Sequence, residues 1–139
     1  MKPAARHKAR EIALQGIYSW QMTQNSANQI ELHLATTNQM EEVDLEYFQE
    51  LLRSVIKQSE DLDKAIRPYL GRLPEEMDPV EKAILRMATY ELQHRLDVPY
   101  RVVINEAIEL AKVFGADESH KFVNGVLDKA IRKLRQHEQ

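Results

Sequence analysis

Apolar positions recur along this chain with the three-and-four spacing of helices, not the alternation of strands. Ala9, Ile12, Ala13, Gly16, Ile17 and Trp20 share one face of a first helix, which the polar run 23–28 ends. A shorter, weaker helix is expected over about 29–37. Asp44 then reads as an N-cap, because its carboxylate can accept the free amides of a first turn. Val43 and Phe48 are placed as a hydrophobic staple around it. Leu45, Phe48, Leu52, Val55, Ile56, Leu62 and Ile66 extend one helix from there toward Pro68. A residue before proline avoids helical geometry, so the break is expected near Arg67.

Asp78-Pro79-Val80-Glu81 combines a cap, a proline at the first helical position and an acid three residues after the cap. The helix it opens has Val80, Ala83, Ile84 and Met87 on one strip and Leu85 and Leu92 on a second. Such a helix is either central or covered by a partner. Asp97-Val98-Pro99 repeats the start signal, and Gly115 supplies a stop after Phe114. Asp117 or Ser119 can cap a last helix, whose apolar face is Val123, Val126, Leu127, Ala130, Ile131 and Leu134. Six or seven helices, no repeat and no convincing strand predict an all-α bundle. It is read as a single domain over 1–139 with a basic N-terminal arm over 1–10.

Composition narrows the chemistry. Among 139 residues there is no cysteine, which excludes disulfides, thiolate catalysis and cysteine-based zinc sites. No apolar run approaches the roughly 18 residues needed to span a bilayer, and a cytoplasmic location is expected. The net charge of −3 is unevenly spread. Residues 1–10 carry +4, whereas nine acids lie between Glu31 and Asp63 against Arg53 and Lys57. Nucleic-acid binding, if present, therefore belongs to a local patch and not to a basic coat.

No enzyme chemistry emerges. Four scattered glycines cannot form a phosphate loop, and no Gly-x-Ser-x-Gly elbow occurs. Glu91-Leu-Gln-His94 matches half of a di-iron arrangement, but no second half exists, so neither metal nor cofactor is expected. Glu91 falls in the apolar sector of its helix and reads as a carboxylate held within the core. The arm offers more. Lys2, Arg6, Lys8 and Arg10 can attract phosphate, with Arg6 and Arg10 on one border of the apolar stripe and Lys8 near the other. Phe122 lies at the edge of its stripe toward Lys129 and Lys133. There it either stacks on an unpaired base or packs under a loop. Tyr69 and Arg72, in the irregular stretch 68–74, either present themselves for stacking and phosphate contact or plug the loop.

Asn105-Glu-Ala-Ile-Glu-Leu-Ala-Lys112 within 97–112, Lys121-Phe-Val-Asn-Gly-Val-Leu127 within 119–129, Val80–Arg86, Tyr90-Glu-Leu92 and the opening Ala5–Glu11 stand out as motifs. Together they resemble the NusB transcription antitermination family. The resemblance covers nearly the whole chain and is poorest over about 24–42. It implies an all-helical protein that binds single-stranded boxA RNA of nascent ribosomal transcripts together with NusE, a small-subunit ribosomal protein. The pair would join NusA and NusG on RNA polymerase. By position, the implied RNA surface comprises Lys2, Arg6, Lys8, Arg10, Tyr69, Arg72, Arg86, Lys121 and Phe122. Glu81 and Glu118 would lie near the shared RNA and NusE surfaces.

The chain departs from the family in its arm, where Arg6-His7-Lys8 stands in place of an unbroken arginine run. Lysine lacks the planar fork of arginine, so weaker RNA binding is expected, strengthening as pH falls through the histidine range. Three alternatives compete: a purely structural adaptor, the RNA-recognition module of an rRNA methyltransferase, and a DNA-binding helix-turn-helix. The chain contains no βαβ segment for the methyltransferase reading, and its acidity disfavours the helix-turn-helix.

Overall fold

A proline at the first helical position costs no hydrogen bond, and the first helix, α1 (Pro3–Thr23), begins on one. The helix thus takes in most of the basic arm. The computed structural model describes residues 3–138, so Lys2 lies outside the described residues. Among them are seven α-helices and no strand, the all-α architecture expected. None is long and apolar enough to cross a membrane. The chain divides into two compact units, residues 1–58 and 59–139.

The first unit packs α1 against α2 (Ala27–Thr37) and α3 (Leu45–Lys57). α2 starts two residues earlier than expected because Ser26 and Gln29 form a reciprocal capping box. Gly16 lets the three helices approach closely: a Cβ there would stand 2.7 Å from Leu52 Cδ1 and 2.9 Å from Leu34 Cδ1. Asp44 caps α3 as expected, accepting the Tyr47 amide at 3.1 Å. The buried stripe of α3 is Tyr47, Phe48, Leu51, Leu52 and Val55. Leu45, expected inside, is 49% exposed. At 100° per residue it sits about 90° from the centre of that stripe.

The single helix expected from Leu45 to Ile66 is two. α3 ends at Lys57 with Gln58 as its C-cap (φ −105°, ψ 15°), and α4 (Ser59–Ile66) begins at the residue after that cap with Glu60 and Asp61 in its first turn. Acids there complement the positive helix N-terminus, which makes 59–61 a workable start. The second unit is built on α5 (Pro79–His94), which touches α4, α6 (Tyr100–Phe114) and α7 (Ser119–Leu134). Almost every side chain of α5 from Ala83 to Leu92 is buried, so this helix is central to its unit; Val80, expected inside, is only half-buried.

Two expected caps are replaced. Asp97 does not cap α6. It pairs with Arg95 at 3.0 Å, and the Tyr100 amide instead donates to Glu138 Oε2 at 2.9 Å. At α7 neither Asp117 nor Ser119 acts as cap. Glu118 takes the position in the left-handed region (φ 74°), with no side-chain cap bond. Gly115 does end α6, with extended φ −89°. Its glycine is required by crowding: an added Cβ would meet Ala111 O at 2.7 Å and Ser119 Cβ at 2.9 Å.

The largest fully buried side chain is Arg135. Its Nε donates to Leu92 O (2.7 Å), and its Nη2 donates to Glu91 O (3.1 Å) and Arg95 O (3.0 Å). It thus adds donors to carbonyls at the C-terminal end of α5, two of which, Glu91 O and Arg95 O, also accept the Arg95 and Val98 amides. Its Nη1 pairs with Glu138, the same carboxylate that caps α6.

Candidate nucleic-acid interface

In the first unit the basic end of α1 divides into two groups. Arg6 and Arg10, one turn apart, both lie over the Tyr47 ring, with Cζ 4.4 Å and 5.4 Å from its centroid. Arg6 also pairs with Asp44 at 3.5 Å. Arg10 is only 3% exposed, so its stem and head belong to the packing of α1 on α3. Lys8 points elsewhere: it is exposed, and its ammonium donates to Glu42 Oε2 at 2.8 Å. That bond and charge hold the Glu42 carboxyl below its ordinary value. His7 meets Glu11 at 2.9 Å on the same helix.

In the second unit the structure brings together five of the expected site residues. Arg72, beyond a short 3₁₀ turn (Arg67–Tyr69), places its guanidinium 3.9 Å from the centroid of the Phe122 ring. Phe122 is half-buried in the first turn of α7, with Arg72 as the cation on its ring. Arg72 Nη1 lies 3.8 Å from Glu81 Oε1. Glu81 is largely buried because it has three tasks: it completes the Asp78 capping box of α5, faces Arg72, and accepts the Ser119 hydroxyl at 2.8 Å. Next to Phe122 in sequence, the exposed Lys121 pairs with Glu118 at 2.8 Å. An exposed guanidinium stacked on an aromatic ring, with a lysine on the same short stretch as the ring, can hold a base face and a phosphate together.

The two remaining residues are placed differently. Tyr69 is half-buried at the end of its 3₁₀ turn. Arg86 is buried, in a two-pronged pair with Asp63 (2.8 Å and 2.7 Å). Sequence reasoning missed Asp63, Ser119 and Tyr47 as partners. Each lies more than twenty residues from the side chain it holds, and no local pattern links them. Among the described residues no cluster of acids and histidines is placed to hold a metal ion.

The sequence profile of the NusB family matches residues 7–132. The chain belongs to the NusB family. It is 70% identical over 138 residues to the transcription antitermination protein NusB of Pseudoalteromonas atlantica, covering 99% of each chain. It is 66% identical to that of Alteromonas mediterranea, covering 100% of this chain and 99% of the relative. Among solved structures, NusB of T. maritima superposes with a TM-score of 0.82 at 29% identity, over 92% of this chain and 91% of the other. A NusB in a crystal structure with NusE and double-stranded RNA superposes with a TM-score of 0.80 at 23% identity. That match covers 94% of this chain and 98% of the other, and it bears on the fold.

Proposed function

We propose that this NusB-family chain is a cytoplasmic antitermination adaptor, acting as one domain. It binds single-stranded boxA-type RNA together with NusE and enters the NusA, NusG and RNA polymerase assembly without catalysing any step. The observation that carries the RNA part of this reading is the stack of Arg72 on Phe122, bordered by Glu81 and Lys121. A guanidinium held over a ring can take an unpaired base on its other side, while the charge serves the phosphate. Arg6, Arg10 and Arg86 contribute by shaping the surface, since each is already engaged in the packing of its own unit. Lys8, Lys121 and Arg72 are the exposed cations that exchange a carboxylate for phosphate, with Lys2 and Tyr69 as further contacts. Glu81 and Glu118 border the surface shared with NusE.

Fluorescence anisotropy of a labelled boxA RNA against a scrambled RNA, with and without purified NusE, tests this. Selective binding that NusE tightens is the expected result. Equal weak binding to both RNAs, unchanged by NusE, rejects it.

A further inference from the structure

The α1–α3 unit contains a second feature that no expected site residue except Lys8 touches. An open cleft of about 220 Å³ is lined by Lys8, Glu11, Ile12 and Gln15 of α1 and by Asn38, Gln39 and Val43 of the α2–α3 connection. Its chemistry is mixed in an informative way. Ile12 and Val43 supply apolar wall, and Gln15, Asn38 and Gln39 supply three carboxamides. The Asn38 nitrogen is already occupied, donating to Leu34 O at 3.1 Å and Thr37 Oγ1 at 3.4 Å, so its oxygen is left to accept. The charged groups already have partners: Glu11 meets His7 at 2.9 Å, and Lys8 meets Glu42 at 2.8 Å.

Such a cleft suits neither a phosphate nor a cationic side chain. It suits a flat, neutral group with apolar faces and a hydrogen-bonding edge. Asn and Gln side chains read base edges with paired donors and acceptors, and single-stranded RNA offers bases splayed out of any stack. We propose that this cleft is a nucleobase pocket that accepts one unstacked base of bound RNA, with Lys8 leaving Glu42 for the adjoining phosphate. The pocket makes the α1–α3 unit a reader of base identity and not only a source of charge. An accepting Asn38 oxygen favours a base with an exocyclic amine. The proposal rests on the RNA-binding reading above, and the experiment separates the two.

The probes are short labelled boxA-type RNAs, one intact and a series each carrying one abasic position. Each is titrated against the wild-type protein, Gln15→Ala, Gln39→Ala and Phe122→Leu. Both glutamines are exposed, and thermal melts matching the wild type establish that the glutamine variants fold. The expected result is a ~3–10-fold weaker affinity for intact RNA in each glutamine variant. The salt dependence should be unchanged, because no charge is removed. At one abasic position the wild type should lose at least that factor, and each glutamine variant should lose correspondingly less there than the wild type does. Glutamine variants that bind like the wild type while Phe122→Leu binds more weakly overturn the pocket alone. A wild-type protein that binds no RNA overturns both readings.

Discussion

Replacing Arg135 with methionine tests whether a buried charge holds the second unit together. Methionine keeps much of the apolar stem and removes the guanidinium, which is 0% exposed. Three carbonyl bonds disappear, but unequally. Glu91 O still accepts the Arg95 amide (3.0 Å), and Arg95 O still accepts the Val98 amide (3.0 Å). Leu92 O loses its 2.7 Å bond to Nε and has no replacement from the α5–α6 turn. A buried carbonyl stripped of its donor costs about 1–3 kcal/mol. The two second bonds and the favourable cation at a helix C-terminus contribute about 1 kcal/mol each. Relief from holding a charge out of water offsets part of this.

The net expectation is a loss of about 3 kcal/mol. For a chain of this length that corresponds to a fall in Tm on the order of 10 °C. Urea and thermal melts at neutral pH measure it, and Arg135→Lys should fall between the two, because a point donor cannot span three carbonyls. Amide exchange adds a local readout, since Tyr100 and the first turn of α6 should lose protection as Glu138 loses its anchor. If Arg135→Met stays within 1 kcal/mol of wild type, the buried guanidinium is not what secures these helix ends. Replacement of buried ion pairs by apolar side chains in other proteins makes that outcome a real test.

Three further expectations follow from the same geometry. The Tyr100 amide first, and then Arg135, hold the Glu138 carboxyl below its ordinary 4.5, against the opposing effect of burial. The folded state therefore binds fewer protons between the two values, and this stabilisation is complete above about 4.5 and lost as pH falls through the folded value. The urea-midpoint gap between wild type and Glu138→Gln should be constant near neutrality and shrink on acidification; a gap that widens refutes the assignment. A Cβ at Gly125 meets nothing within 4 Å, whereas one at Gly115 meets backbone at 2.7 Å. Gly125→Ala should thus gain up to about 1 kcal/mol and Gly115→Ala lose about 1–3 kcal/mol in thermal melts. In RNA titrations Phe122→Leu should weaken boxA binding roughly 5–100-fold with little change in salt slope, while Arg72→Ala should also reduce that slope by about 1. Equal salt slopes for wild type and Arg72→Ala would show that Arg72 meets no phosphate.

Local signals in the sequence reported the helices well, and contacts between distant residues poorly. The caps Asp44 and Asp78 were legible because each acts on amides within three residues. The break at Gln58 was not. Phe48, Leu52, Val55, Ser59, Leu62 and Ile66 are all buried at helical spacing, so the pattern runs through the interruption without changing phase. Arg135 escaped notice because an arginine near a polar chain end gives no sign of burial; its partners lie 40 to 44 residues upstream. At the site, the wheel placed Phe122 at the border of its helix but pointed it toward Lys129 and Lys133. Arg72 occupies its ring instead, from an irregular segment whose path no periodicity describes. The resemblance to the NusB family named both residues, and only the fold showed that they touch.

The charge pattern acquires a physical role on the proposed reading. Exposed cations at the candidate surfaces have carboxylate neighbours: Lys8 has Glu42, Arg72 has Glu81 and Lys121 has Glu118. A phosphate approaching any of them must replace an anion that is already in place, so the gain from charge alone is small. Non-specific affinity for nucleic acid, which depends almost wholly on such charge, is suppressed. An RNA that also offers a base to the Arg72–Phe122 pair, or one to the carboxamide cleft, gains energy that a bare backbone cannot. Net acidity therefore works for selectivity: it lowers the affinity for every RNA by a similar amount and leaves base contacts and the protein partner to decide which RNA is held. Neutralising Glu42 should accordingly raise affinity for boxA and scrambled RNA alike. An increase confined to boxA would mean that Glu42 discriminates between bases and does not simply oppose phosphate.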